Sequence, residues 1–280
     1  MGNPTPPDIL KRDLLNMTTF TTEDLANAKK LVEEAPFHPG YEDAAVNPNE
    51  AGRPLSVVIR ERMIADKKRF WAGDNISEYV SEKDKKQLIE EATQAFEKVL
   101  DTLLIDRTFD PNSHGTAKRL AKMYFKEIMA GRYEPAPDCT AFPNDSEDRY
   151  EGMLVVRSEL RSMCSHHHQP VSGVAYIGII AANKLIGLSK YTRIAQWCAR
   201  RGTLQEELCN DIAKEIMKAT DSKDVGVYIQ AVHGCCENRG IMAHSSLTQT
   251  TVLKGAFTTD AGTKKEFMDN IKLQQDFAPR

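Results

Sequence analysis

The run Val225-Gly226-Val227-Tyr228-Ile229-Gln230-Ala231-Val232-His233 alternates, so in extended backbone Val225, Val227, Ile229, Ala231 and His233 share one face. A period of two is a strand signal, and the strand it predicts ends in a histidine. Three further strands are expected around it. Met153 to Arg161 and Gly173 to Ala182 are rich in Val, Ile and Leu, and Leu247 to Leu253 is heavy in Thr. Ahead of the Val225 run lie two segments with helical spacing, about Ser189 to Arg200 and Thr203 to Ala219, the latter with Leu204, Leu208, Ile212 and Ile216 four apart. Antiparallel strands with a helical pair inserted between them make an α+β fold.

Further upstream the pattern is helical. From Ser81, the apolar set Leu88, Ala92, Phe96, Val99, Leu100, Leu103 and Leu104 predicts an amphipathic helix to about Ile105. A second runs from about Ser113 to Ala130, with Leu120, Met123, Tyr124 and Ile128 on one side and Gly131 as its C-cap. Tyr133 to Tyr150, with three prolines and several acids, reads as a surface connection, and Lys264 to Ile271 as a closing helix. Residues 1–54 hold seven of the thirteen prolines and one short helical pattern, Thr21 to Ala35, so a poorly structured extension is expected there. The predicted organisation is an extension over 1–54, a helical part over 55–135 and a strand-rich catalytic part over 136–280.

Composition excludes several classes. The chain has 280 residues and a formal net charge of -3, so no overall positive field marks a nucleic-acid surface. No apolar run approaches a membrane span, and no basic segment followed by an apolar one opens the chain. Six cysteines are too sparse for a disulfide scaffold and are expected to be reduced. The expectation is a cytoplasmic protein acting without nucleic acid or membrane.

The Val225 strand runs into Gly234-Cys235-Cys236-Glu237-Asn238-Arg239-Gly240, and about seventy residues earlier stands Ser162-Met163-Cys164-Ser165-His166-His167-His168. Together with His233 these segments hold three of the six cysteines and four of the seven histidines, the ligand types zinc prefers. Cys164 and His167 are three apart, within reach of one ion across a turn, and Cys235 lies two beyond His233. Three ligands, Cys164, His167 and Cys235, leave a coordination position open, which is the arrangement of a catalytic Zn2+. His166 and His233 are left over as general acid/base groups. A plainer reading also stands: a histidine triplet can be a surface accident and a buried cysteine a small hydrophobe. Cys236, as a neighbour of Cys235, is expected to point away into packing.

Between the two halves lie Gly187-Leu188-Ser189-Lys190-Tyr191-Thr192-Arg193 and Arg200-Arg201-Gly202-Thr203-Leu204-Gln205-Glu206-Glu207-Leu208. With these the chain resembles the GTP cyclohydrolase I family. The family pattern is a Cys-x-His-His segment, Gly-Leu-Ser-Lys with an Arg three beyond, a Gln-Glu pair opening a helix, and His-x-Cys leading into Arg-Gly. All occur here in order, and the likeness extends back through Thr116 to Tyr124 and forward to Lys265-Glu266-Phe267-Met268, about residues 55 to 272.

The resemblance implies the tunnelling fold (T-fold), an antiparallel sheet backed by helices, assembled as a toroidal homodecamer with sites between subunits. It implies hydrolysis of GTP to formate and 7,8-dihydroneopterin triphosphate, with opening of the guanine imidazole ring at C8, ribose rearrangement and pterin ring closure. By similarity Cys164, His167 and Cys235 hold zinc, which makes hydroxide available near neutral pH. His233 protonates the imidazole nitrogen of the base, and His166 serves the later proton transfers. Glu206, with Gln205 beside it, reads the guanine N1–H and N2–H edge; Arg119, Lys122, Lys190, Arg193 and Arg239, with Ser189, bind the triphosphate. Each cation could instead be an ordinary solvated face, and Thr203 with Glu206 has capping-box spacing. Two departures are Ser165, where many members carry Glu, and Cys236, where Met is common. Two rivals are a nitrile reductase of the same fold, using a Cys nucleophile and NADPH, and a non-catalytic zinc-stabilised assembly protein.

Overall fold

The structure, a computed structural model, describes residues 52–276. The expected Thr21 to Ala35 helix and most of the 1–54 extension lie outside the described residues.

A helical layer comes first. Helix α1 (Leu55–Ala65) and a 3-10 turn (Ser77–Tyr79) precede α2 (Glu82–Thr102). Ser81 caps α2 reciprocally: its Oγ accepts from the Asp84 N–H at 3.2 Å, and the Asp84 carboxylate accepts from the Ser81 N–H at 2.9 Å. Ile59, Met63, Ile76, Val80 and Leu88 form a small core beneath these elements. The expected second helix is not continuous. Helix α3 (Thr116–Met123) widens into a π-helical turn (Tyr124–Ile128), and α4 (Ala130–Tyr133) follows. Gly131 lies inside α4 and is not a C-cap. A Cβ there would stand 2.0 Å from the Trp197 carbonyl oxygen, so this glycine is required by close backbone approach.

The strand-rich part begins with β1 (Ala141–Pro143), an exposed strand inside the segment expected to be a surface connection. Then come β2 (Met153–Met163), β3 (Pro170–Ile180), β4 (Lys184–Ile186), α5 (Leu188–Ala199) and α6 (Gln205–Thr220). Strand β5 (Val225–His233), the one-turn α7 (Gly234–Glu237), β6 (Thr248–Leu253), α8 (Ala256–Thr259) and α9 (Ala261–Asp276) complete the order. Strands β1 and β4 pair as a small ribbon; β2-β3-β5-β6 form one antiparallel sheet in that order. This is the α+β architecture expected, with helices α5 and α6 backing the sheet.

Alternation along β3 and β5 feeds two different cores. Ala175, Ile177 and Ile179, with Val225, Val227, Ile229 and Ala231, pack against Tyr191, Ile194, Leu208, Ile212 and Ile216 of the backing helices. On the opposite face Tyr176 and Tyr228 pack with Phe257, Phe267 and Ile271. Gly178 and Gly226 are register partners, and a Cβ at either would lie within 2.7 Å of a Phe267 or Phe257 ring carbon. The absent side chains make room for two aromatic ones. No helix among the described residues is long and apolar enough to cross a membrane.

Candidate active site

The site forms where three chain segments end together. Strand β2 stops at Met163, and Cys164 closes the hairpin to β3: its N–H donates to the Gln169 carbonyl and its own carbonyl accepts from the His168 N–H, both at 2.9 Å. Val171 of β3 lies in register with His233, the last residue of β5. Gly234 then starts α7 against Pro170, whose carbonyl oxygen would sit 3.0 Å from a Cβ at that position. This approach carries Cys235 back beside the Cys164 thiol. Burial, with Cys164 and Cys236 beside it, pushes the Cys235 thiol up to about 11.

Cys236 does not point away. Its Sγ lies 3.9 Å from that of Cys235, because a helical turn after the strand sets neighbouring side chains about 100° apart instead of on opposite sides. His167 is in the exposed turn after Cys164, with its ring centroid 6.4 Å from that of His166. Among the described residues no three His, Cys, Asp or Glu side chains converge as a metal group. The structure therefore joins two of the three expected ligands and leaves the third on an adjoining solvent-facing turn. Two sulfurs held side by side, with an imidazole three residues beyond one of them, are a donor set suited to zinc.

His233 is partly buried, and desolvation holds its pKa below the ordinary histidine value, the Glu206 carboxylate opposing that shift. Its Nε2 lies 2.7 Å from Oε1 of Gln205, the first residue of α6. Gln205 is buried, and its Nε2 faces Ile229 O, Thr248 O and Thr250 Oγ1 at 3.1 to 3.3 Å. Glu206, next to it, is exposed. The capping box suggested by Thr203 and Glu206 is not formed: Thr203 Oγ1 donates to Glu207 Oε2 at 2.8 Å, and Leu204 occupies the N-cap.

The cations are placed less closely. Lys190 Nζ donates to the Asp138 carbonyl at 2.7 Å, and Ser189, Arg193 and Arg239 are exposed. On α3, Arg119 is folded onto its own loop, donating to His114 O, Asn112 O and Thr116 Oγ1, while Lys122 is exposed. Among the described residues no hydrogen bond or ion pair joins Arg119 or Lys122 to the Cys164–His233 end. One neighbour had no sequence signal: Tyr124, in the π turn, meets His168 Nδ1 at 3.2 Å, and helical periodicity cannot announce a π turn.

Comparison with known proteins adds an independent line. Residues 92–272 match the family described as GTP cyclohydrolase I. The GTP cyclohydrolase 1 of Flavobacterium johnsoniae is 40% identical over 190 residues, covering 68% of this chain and 84% of that protein. The GTP cyclohydrolase 1 of Aeromonas salmonicida is 38% identical over 190 residues, covering 67% and 84%. Among solved structures, the archaeosine synthase QueF-Like in its apo form is 14% identical, with a TM-score of 0.31, over 37% of this chain and 93% of that one.

Proposed function

The chain belongs to the GTP cyclohydrolase I family, and on that basis we propose that it hydrolyses GTP to formate and 7,8-dihydroneopterin triphosphate, a step of pterin biosynthesis, at the Cys164–Cys235–His233 end of the sheet. The observation that carries this reading is the meeting of the Cys164 and Cys235 thiols beside a partly buried His233.

Cys164, Cys235 and His167 would hold Zn2+, which supplies a Lewis-acid charge that makes water nucleophilic near neutral pH. The chain's own groups handle the rest. His233, kept neutral by burial, exchanges a proton with the imidazole ring of guanine, and His166, on the exposed turn, serves the ring-opening and ribose steps. The exposed carboxylate of Glu206 accepts from guanine N1–H and N2–H, a donor pair that adenine lacks. Lys190, Arg193 and Arg239, with Ser189, take the triphosphate. Arg119 and Lys122 complete that set from a second copy. Strands β2 and β6 are the outer strands of the sheet, and pairing such edges copy to copy gives a closed ring, here a toroidal homodecamer. Six free cysteines suit a reducing, cytoplasmic compartment.

The test is direct. Zinc-loaded protein incubated with GTP should release one formate per dihydroneopterin triphosphate, read as pterin fluorescence after oxidation. Absence of formate, or NADPH consumption by metal-free protein, overturns the proposal.

A further inference from the structure

We infer that Gln205 is a positioning residue that fixes His233 in one tautomer, Nε2 protonated, leaving Nδ1 as the atom that exchanges protons with substrate; the catalytic part of this rests on the reaction proposed above. The argument begins with which atom of the Gln205 amide faces which way. One end of the amide lies 3.3 Å from Ile229 O, 3.2 Å from Thr248 O and 3.1 Å from Thr250 Oγ1. Two of these are main-chain carbonyls and can only accept, so the end facing them must be the NH2 group. A flipped amide would set oxygen against two carbonyl oxygens inside a residue only 4% exposed. The other end is then Oε1, and it lies 2.7 Å from His233 Nε2. An acceptor that close requires N–H, so Nε2 carries the proton and, in the neutral ring, Nδ1 carries the lone pair.

The rigidity of this arrangement comes from the sheet. Ile229 is on β5, and Thr248 and Thr250 are on β6, so the amide is held by two paired strands before it touches the histidine. Gln205 and Glu206 thereby divide two tasks at the start of one helix: the buried side chain orients the proton carrier, and the exposed one meets the ligand. Gln205 is not free to read the guanine edge as its place beside Glu206 suggests.

The proton path balances. Water adds across the C8=N7 bond of guanine: its oxygen bonds to C8 and the π pair moves onto N7. The proton the water releases goes to Nδ1 and from Nδ1 to N7. Nothing is oxidised or reduced, and His233 returns to its starting form. Throughout, Nε2–H stays on Gln205 Oε1.

Two measurements test this. Long-range 1H–15N correlation of the histidine rings in the wild-type protein, with His233 assigned by its loss in His233→Ala, should show the Nε2–H pattern. An Nδ1–H pattern overturns the proposal, and this readout needs no GTP turnover, so it stands or falls apart from the reaction itself. The second uses Gln205→Met, similar in length but without the acceptor. We expect kcat to fall roughly 10- to 100-fold, KM for GTP to stay within about twofold, metal content to be unchanged, and the His233 signals to show both tautomers. A raised KM with unchanged kcat would make Gln205 a base reader and overturn the assignment; should this variant fail to fold, the wild-type spectrum still decides.

Discussion

Strands β3 and β5 run side by side from a sealed end to a reactive one. At the Gly178–Gly226 pair the two backbones lie bare beneath Phe257 and Phe267, both fully buried. Seven residues along each strand, at the Val171–His233 pair, the ladder opens onto thiols, an imidazole and an exposed turn. One end removes side chains to gain packing; the other keeps polar groups partly wet to gain chemistry. The two ends should therefore fail separately, one in stability and one in turnover.

The largest test of that separation is His233→Ala. Formate release should fall by about 10²- to 10⁴-fold, with bound zinc and the melting temperature close to wild type; metal analysis and calorimetry beside the formate assay check it, and full activity refutes the proton-transfer role. At the sealed end Gly226→Ala should do the reverse. Its Cβ would meet Phe257 at 2.7 Å, and overpacking of this kind costs about 1–3 kcal/mol, so chemical denaturation should shift while kcat per folded molecule holds. Loss of turnover without loss of stability would break the comparison.

A smaller effect is expected remote from both ends. Ser81→Ala removes the reciprocal cap of α2 and should cost about 1 kcal/mol with no change in kcat. The Ser81 hydroxyl and N–H hold the Asp84 carboxyl below its usual range. Its folded pKa is thus lower than its unfolded one, so this contribution is complete above the unfolded value, about pH 4, and fades as pH falls through the folded one. The stability gap between wild type and Ser81→Ala should accordingly narrow in acid. Because Asp84 is largely solvent-facing, the pH-dependent part should be the smallest of these effects.

How much of this the chain announces in advance depends on the kind of signal. The bounds of β5 are readable because its alternation runs unbroken from Val225 to His233 and is stopped by Gly234. The α5–α6 pair follows from helical period in the same way. Gly131 is different: a glycine near a helix end looks the same whether it caps the helix or lets another backbone approach, and only the Trp197 carbonyl tells them apart. Cys236 departs from its expected place because extended backbone sets neighbours on opposite sides while a helical turn sets them only about 100° apart. The role of Gln205 was hidden for a third reason, since its partners are main-chain atoms of β5 and β6, which no side-chain pattern encodes.

The approach of Gly234 to Pro170 has an energetic consequence. The two sulfurs it brings together are about seventy residues apart in sequence, and between them lie β3, both backing helices and β5. Holding two groups so far apart in sequence together costs loop-closure entropy, which the strands and helices between them must offset. A metal that uses both sulfurs would therefore close that loop, and its binding free energy would add to the stability of the folded chain.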